Sequence, residues 1–182
     1  MSLSEKWINT ILKIATGRSL LKKIITPFGI IIFLSFYTAL IFLSLYLDKI
    51  FQFPDFLFPP LDIILGLIFI VPGIVLSCYC IYYFIKSKGT PVPLNPPPKL
   101  INKGPYALSR NPMLTGLFFQ LFGFGFICNS ITLTFIVTPI FILLNVIELK
   151  KIEEPELEKR LGSEYSEYKK SVPMFIPNVK KH

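Results

Sequence analysis

The residues Gly104-Pro105-Tyr106-Ala107-Leu108-Ser109-Arg110-Asn111-Pro112-Met113-Leu114-Thr115-Gly116 join a proline-rich polar segment to a long apolar run. Asn111-Pro112 reads as a helix start, because Asn can cap free N–H groups and Pro at the first helical position forfeits no bond. Arg110 stands immediately before it. A helix N-terminus beside an arginine is suited to an anionic group, through free N–H donors, the helix dipole and the guanidinium fork. The same residues equally make a positively charged anchor where a helix enters a membrane. Further along stand two acids, Glu153-Glu154. If the apolar run between folds as a hairpin turning at Asn129-Ser130, these acids return to the side where Arg110-Asn111 begins. Such a grouping suits a zwitterion, whose carboxylate seeks Arg and N–H groups while its ammonium seeks Glu. The plainer alternative is a charge pair that closes a helical bundle.

Composition says where such chemistry takes place. The chain has 182 residues, one domain's worth, and 52% of them are hydrophobic, with 18 Phe. Its mean hydropathy of +0.60 is too high for an ordinary soluble domain. A net charge of +8 can mean nucleic acid or anionic lipid, and its coexistence with long uncharged runs favours the membrane over nucleic acid. Cys78, Cys80 and Cys128 all lie in apolar runs, at spacings that suggest neither a disulfide framework nor a zinc knuckle. With His182 as the single histidine, no metal site is expected. The first 25 residues carry charges throughout and do not read as a cleavable signal.

The elements that position these residues follow from the apolar pattern. Trp7, Ile8, Ile11, Leu12 and Ala15 recur at helical spacing, which predicts an amphipathic helix on the membrane surface within 4–25. Residues 28–47 carry no charge over the length needed to cross a bilayer. Residues 61–85 form a second span, with Pro72-Gly73 predicted to kink it and leave room for a ligand beside it. The segment 86–112 is rich in Pro and Gly and reads as extended. The run from Met113 to Leu149 divides at Asn129-Ser130 into two short spans, 113–128 and 131–149. Residues 150–182 form a polar tail, in which Leu157, Leu161, Tyr165 and Tyr168 give a helix bent at Gly162 an apolar face. The expected fold is therefore all-α, a polytopic bundle of about four transmembrane helices with an interfacial helix before it and a helical tail after it.

Lys and Arg are distributed as five before Phe28, one in 48–60, five in 86–112, none at 129–130 and eight after Leu149. That alternation is the positive-inside pattern for four spans with both termini in the cytoplasm, in a prokaryotic inner membrane or the endoplasmic reticulum. Gln120, Asn145 and Glu148 are polar groups within the spans and are expected to face the bundle, since an unpaired amide in hydrocarbon is costly. They are candidate substrate contacts. Gly116, Gly123 and Gly125 either permit close helix approach or make room.

Taken together, Gly-Pro-Tyr…Arg-Asn-Pro-Met-x-x-Gly at 104–116, Lys99-Leu100-Ile101 before it, and Glu153-Glu154-Pro155…Leu161-Gly162…Tyr165…Tyr168…Val172-Pro173 after it resemble the isoprenylcysteine carboxyl methyltransferase family. The wider group includes the membrane phospholipid N-methyltransferases. The resemblance covers roughly residues 86–177. It implies an S-adenosylmethionine-dependent methyltransferase acting on a lipophilic or prenylated acceptor drawn from the bilayer. It also implies that Leu100 and Ile101 line the cofactor, that Tyr106 contacts it, and that Arg110, Asn111, Pro112, Met113 and Leu114 meet it at the helix start. Glu153, with Glu154 beside it, would hold its amino group. The chain departs from the family at several places: Asn111 replaces a frequent His, Leu114 a usual Tyr, and Ala107 and Met174 usual basic residues. Leu149 stands near the position where prenylcysteine enzymes carry an arginine for the substrate carboxylate.

Methyl transfer from a sulfonium is an in-line displacement that needs alignment and a water-poor site more than dedicated catalysts. A carboxylate acceptor needs no base. An amine acceptor must lose a proton, and Glu148, Glu153 and Glu154 are the groups that could help. A lipidic acceptor is expected to approach from the bilayer beside Pro72-Gly73. Two further readings stand beside this one: a phospholipid N-methyltransferase, and a small membrane protein that uses the bundle only for binding or assembly.

Overall fold

The computed structural model describes residues 5, 10, 19–91 and 95–176, with side chains described from Thr26 onward. The interfacial helix expected within 4–25 lies largely outside the described residues, as do the last six residues of the tail. The elements are helices α1 (Ser19–Phe51) and α2 (Leu61–Lys86), a 3-10 turn (Gly104–Ala107), and α3 (Pro112–Ile127). A π turn (Thr132–Val137), α4 (Thr138–Glu148), a second π turn (Leu149–Glu153), α5 (Glu154–Leu161) and α6 (Ser163–Ser171) follow. The fold is all-α, and no strand occurs among the described residues.

Three helical stretches are long and apolar enough to cross a membrane: Thr26–Phe51, Leu61–Lys86 and Thr132–Leu161. At 16 residues α3 is shorter, about 24 Å against a hydrocarbon layer of about 30 Å. The surface agrees with a bilayer setting. Phe28, Ile32, Phe42, Ile68, Val75 and Leu143 are all more than half exposed, an arrangement water would penalise and lipid would not.

The fourth helix differs from expectation. A stop near Leu149 was predicted, with a separate tail helix, but the helix runs unbroken for 30 residues to Leu161. Pro139 and Pro155 sit inside this run, and each π turn ends two residues before one of them. A proline lacks its N–H and crowds the carbonyl four residues back, and a widened turn relieves that crowding without ending the helix. Glu153 and Glu154 are thereby carried at the junction of the second π turn and α5. The helix ends at Gly162, whose φ of +62° suits a residue without a Cβ.

The chain forms two compact units, one of residues 1–31, 79–112 and 146–182 and the other of residues 32–78 and 113–145. The second unit is held by glycines. A Cβ on Gly73 would lie 2.7 Å from the Gly116 carbonyl oxygen, and one on Gly116 would lie 2.8 Å from that of Gly73. Seven residues along, a Cβ on Gly123 would lie 2.8 Å from the Gly66 carbonyl oxygen. Two glycine pairs at a heptad interval thus let α2 and α3 touch backbone to backbone, the usual way apolar helices associate in lipid. Gln120 Nε2 donates across this contact to the Gly73 carbonyl (3.2 Å) and Ser77 Oγ (3.0 Å). The space expected beside Pro72-Gly73 is therefore filled by α3, because the missing Cβ serves helix approach and leaves no vacancy.

The hairpin turn between α3 and the fourth helix falls at Asn129, with φ +53°. Its side-chain Oδ1 accepts from the N–H groups of Phe56 (3.0 Å) and Leu57 (2.9 Å), and its Nδ2 donates to the Leu57 carbonyl (2.7 Å). Asp48 accepts from Ser130 Oγ and from the Thr132 N–H, the latter at 2.9 Å, fixing the same turn to the end of α1.

Replacing Gly73 or Gly116 by Leu should destabilise the folded protein by about 1–3 kcal/mol or more. Thermal unfolding in detergent should show a clear drop for either change, whereas Ile68→Phe on the exposed face of α2 should leave the midpoint within about a degree.

Candidate functional site

The other unit builds a cavity of about 140 Å³ from the loop after α2, the 3-10 turn and the far end of the fourth helix. The loop is shaped by its own prolines. Gly89 packs so closely on Pro97 that a Cβ would lie 2.6 Å from the proline Cα, and Thr90 Oγ1 donates to the Asn95 carbonyl (3.1 Å). Gly104 adopts φ +61° with the Tyr83 ring against it, which leaves no space for a side chain. The following turn buries Tyr106, whose ring meets Phe84 edge-on at 5.8 Å.

Tyr168 of α6 locks this turn, its hydroxyl donating to the Tyr106 carbonyl at 2.7 Å. Burial pushes both phenols above their ordinary range, so both stay protonated. The segment after α6 adds a clasp. The Arg110 N–H donates to the Pro173 carbonyl (2.9 Å), and the Met174 carbonyl accepts from the Asn111 N–H (3.2 Å), Ser109 Oγ (3.0 Å) and Asn111 Nδ2 (3.3 Å). The start of α3 is therefore held by backbone atoms of the tail.

Arg110 and Glu154 meet, with Nη1 and Oε1 3.1 Å apart and both side chains at least nine-tenths buried. The contact is coulombic: neither atom, nor Arg110 Nε, has a well-formed hydrogen-bond partner among the described residues. The other Glu154 oxygen lies 2.7 Å from Lys169 Nζ, which also reaches Glu158 at 3.0 Å. Its hydrogen bond to Glu154, and then that to Glu158, raise the Lys169 ammonium above its usual range. A second pair stands nearby, with Arg160 Nε donating to Glu156 Oε1 (2.8 Å) and Nη1 donating to the Pro97 carbonyl (3.1 Å).

Of the sequence candidates, Leu100, Ile101, Tyr106, Arg110, Asn111, Glu148, Glu153 and Glu154 all line the cavity. Pro112, Met113 and Leu114 do not. Nor do Gln120, occupied at the α2–α3 contact, and Asn145, whose Nδ2 donates to its own helix at the Phe141 carbonyl (2.7 Å). Both amides satisfy a donor locally. Glu153 has no salt bridge among the described residues, in contrast to Glu154. Sequence reading missed Phe84, Arg160 and Glu156, although the i,i+4 spacing of the last two was a legible signal. The Met174 contribution had no side-chain signal, since it works through a carbonyl.

The family model for phospholipid methyltransferases matches residues 61–164. That range includes the loop, the 3-10 turn, the α3 start and all of the cavity's acids. The chain belongs to the phospholipid methyltransferase family. No curated protein and no solved structure matches it. As a membrane methyltransferase it carries four of its eleven acids around one cavity, Glu148, Glu153, Glu154 and Glu156, against Lys99, Arg110 and Arg160. The formal charge of the cavity lining is −1 in a chain of formal net charge +8.

Glu154→Gln removes the counter-charge of a buried guanidinium and should destabilise the methyltransferase by about 3 kcal/mol or more. Met174→Lys should be tolerated within about 0.5 kcal/mol because the clasp uses the backbone. Thermal unfolding of the two variants side by side checks both expectations.

Proposed function

We propose that the cavity binds S-adenosylmethionine and that the protein transfers its methyl group to a lipophilic acceptor on the cytoplasmic side of the membrane. The observation that carries this reading is Glu153, which makes no salt bridge among the described residues, beside Arg110 in a cavity whose lining is formally acidic, within a strongly basic chain. The cofactor carries one net positive charge, and the lining charge complements it.

The residues present fit the group. Glu153 would hold its ammonium, and Arg110, with Nε lacking a hydrogen-bond partner among the described residues, would hold its carboxylate. Phe84, Leu100, Ile101 and Pro97 offer apolar surface for a base and ribose. When bound, the cofactor supplies an electrophilic methyl on a sulfonium. This chain's own contribution is to align and to exclude water: Tyr168 and the Pro173–Met174 clasp fix the loop, and the Arg110–Glu154–Lys169 network fixes the helix start against the fourth helix.

Two acceptor classes remain, an isoprenylcysteine carboxylate and a phospholipid amine. Leu149 favours the amine. It is buried and lines the cavity where a carboxylate acceptor would want an arginine, while the free groups nearby are acids. The family match to phospholipid methyltransferases supports the same class.

Isothermal titration of the detergent-solubilised protein with S-adenosylmethionine tests the cofactor. Wild type should bind, Glu153→Ala should lose at least about 1.5–3 kcal/mol of binding free energy, and Ile68→Ala on the exposed face of α2 should bind nearly as wild type. Absence of binding to wild type would leave a binding or assembly role instead.

A further inference from the structure

The depth of the cavity in the bilayer can be read from two helices independently. On α2 the uncharged stretch from Ile63 ends at Lys86, and just before it Tyr79 and Tyr82 are 48% and 54% exposed. The Lys86 ammonium sits 5.8 Å from the Tyr82 ring centroid. Exposed tyrosines followed by lysine at the end of an apolar span mark the headgroup layer. Phe84, within that same turn, lines the cavity. On the fourth helix no charge occurs from Ser130 to Ile147, Ile147 is 41% exposed, and Glu148 is the first charged residue. Glu148 is exposed and also lines the cavity. Both helices therefore leave the apolar layer at the cavity's rim.

Glu148 differs from Glu154 and Glu156 in its lack of an ion pair and from the half-buried Glu153 in its exposure. Glu154 and Glu156 are buried and paired with Arg110, Lys169 and Arg160, whereas Glu148 makes no salt bridge among the described residues. Lys150 and Lys151 follow almost directly and are exposed. A lone carboxylate at headgroup depth, with two ammonium groups beside it, complements a headgroup that carries an amine and a phosphate.

We propose that Glu148 is the acceptor-recognition residue, holding the ammonium of a zwitterionic aminophospholipid at the lipid-facing rim of the cavity. This rests on the cofactor reading above for its catalytic meaning, but not for the lipid contact itself. An amine bound there is presented to the cavity without leaving the headgroup layer. The carboxylate of a prenylcysteine would meet Glu148 as a like charge.

The test uses the full-length protein, Glu148→Gln and Glu148→Asp in phosphatidylcholine nanodiscs with minor phosphatidylethanolamine and phosphatidylglycerol. First, with no cofactor present, native mass spectrometry counts retained lipid. Wild type should retain phosphatidylethanolamine over phosphatidylglycerol by roughly tenfold, Glu148→Gln should lose the preference, and Glu148→Asp should keep part of it. Second, with radiolabelled S-adenosylmethionine at saturating concentration, Glu148→Gln should raise KM for phosphatidylethanolamine roughly tenfold or more. Equal retention and equal KM in Glu148→Gln and wild type would overturn the proposal, as would methylation of a prenylcysteine carboxylate in preference to the amine lipid. Competition by soluble phosphoethanolamine at micromolar levels would overturn the assignment to a lipid. Failure of wild type to bind the cofactor overturns the cofactor reading, and the retention measurement then decides the lipid site alone.

Discussion

The contact between Arg110 and Glu154 is the constraint on which the site depends. Taking two charges out of water costs several kcal/mol each, and a 3.1 Å contact without hydrogen-bond geometry offsets only part of that cost. Lys169 shares the burden by binding the second Glu154 oxygen at 2.7 Å. The network joins the start of α3, the junction between the second π turn and α5, and α6. It leaves the Arg110 Nε without a hydrogen-bond partner among the described residues.

The fourth helix makes that arrangement possible. Had it ended near Leu149, Glu153 and Glu154 would sit on a tail free to move. The two π turns let it pass Pro139 and Pro155, so Glu153 and Glu154 stand within a continuous helix. Gly162 then reverses the chain so that α6 and the Pro173–Met174 clasp return to residues 109–111. The clasp uses main-chain carbonyls, so it does not depend on the Met174 side chain.

Much of this was legible in the sequence, and the failures have physical reasons. The apolar runs, the Asn129-Ser130 turn and the cluster of Arg110 with Glu153 and Glu154 followed from charge placement and hairpin geometry, because membrane spans leave few alternatives. That the fourth helix continues past Leu149 was not legible, because π widening has no signature in residue type. Pro72-Gly73 was read as an opening because glycine signals absence of a side chain but not what fills the absence. Gln120 and Asn145 each find a neighbouring carbonyl as partner, which residue type in an apolar run does not disclose. The distinction between Glu153 and Glu154, adjacent and identical in type, emerged only from which of them Arg110 and Lys169 reach.

The central claim, that the loop after α2 and the far end of the fourth helix together form one cofactor cavity, is tested most directly by hydrogen–deuterium exchange in detergent with and without S-adenosylmethionine. The account predicts slower exchange on binding in 99–111 and in 148–161 together, with no change at the Asn129 turn. Protection confined to one of the two segments, or appearing only elsewhere in the chain, would contradict it.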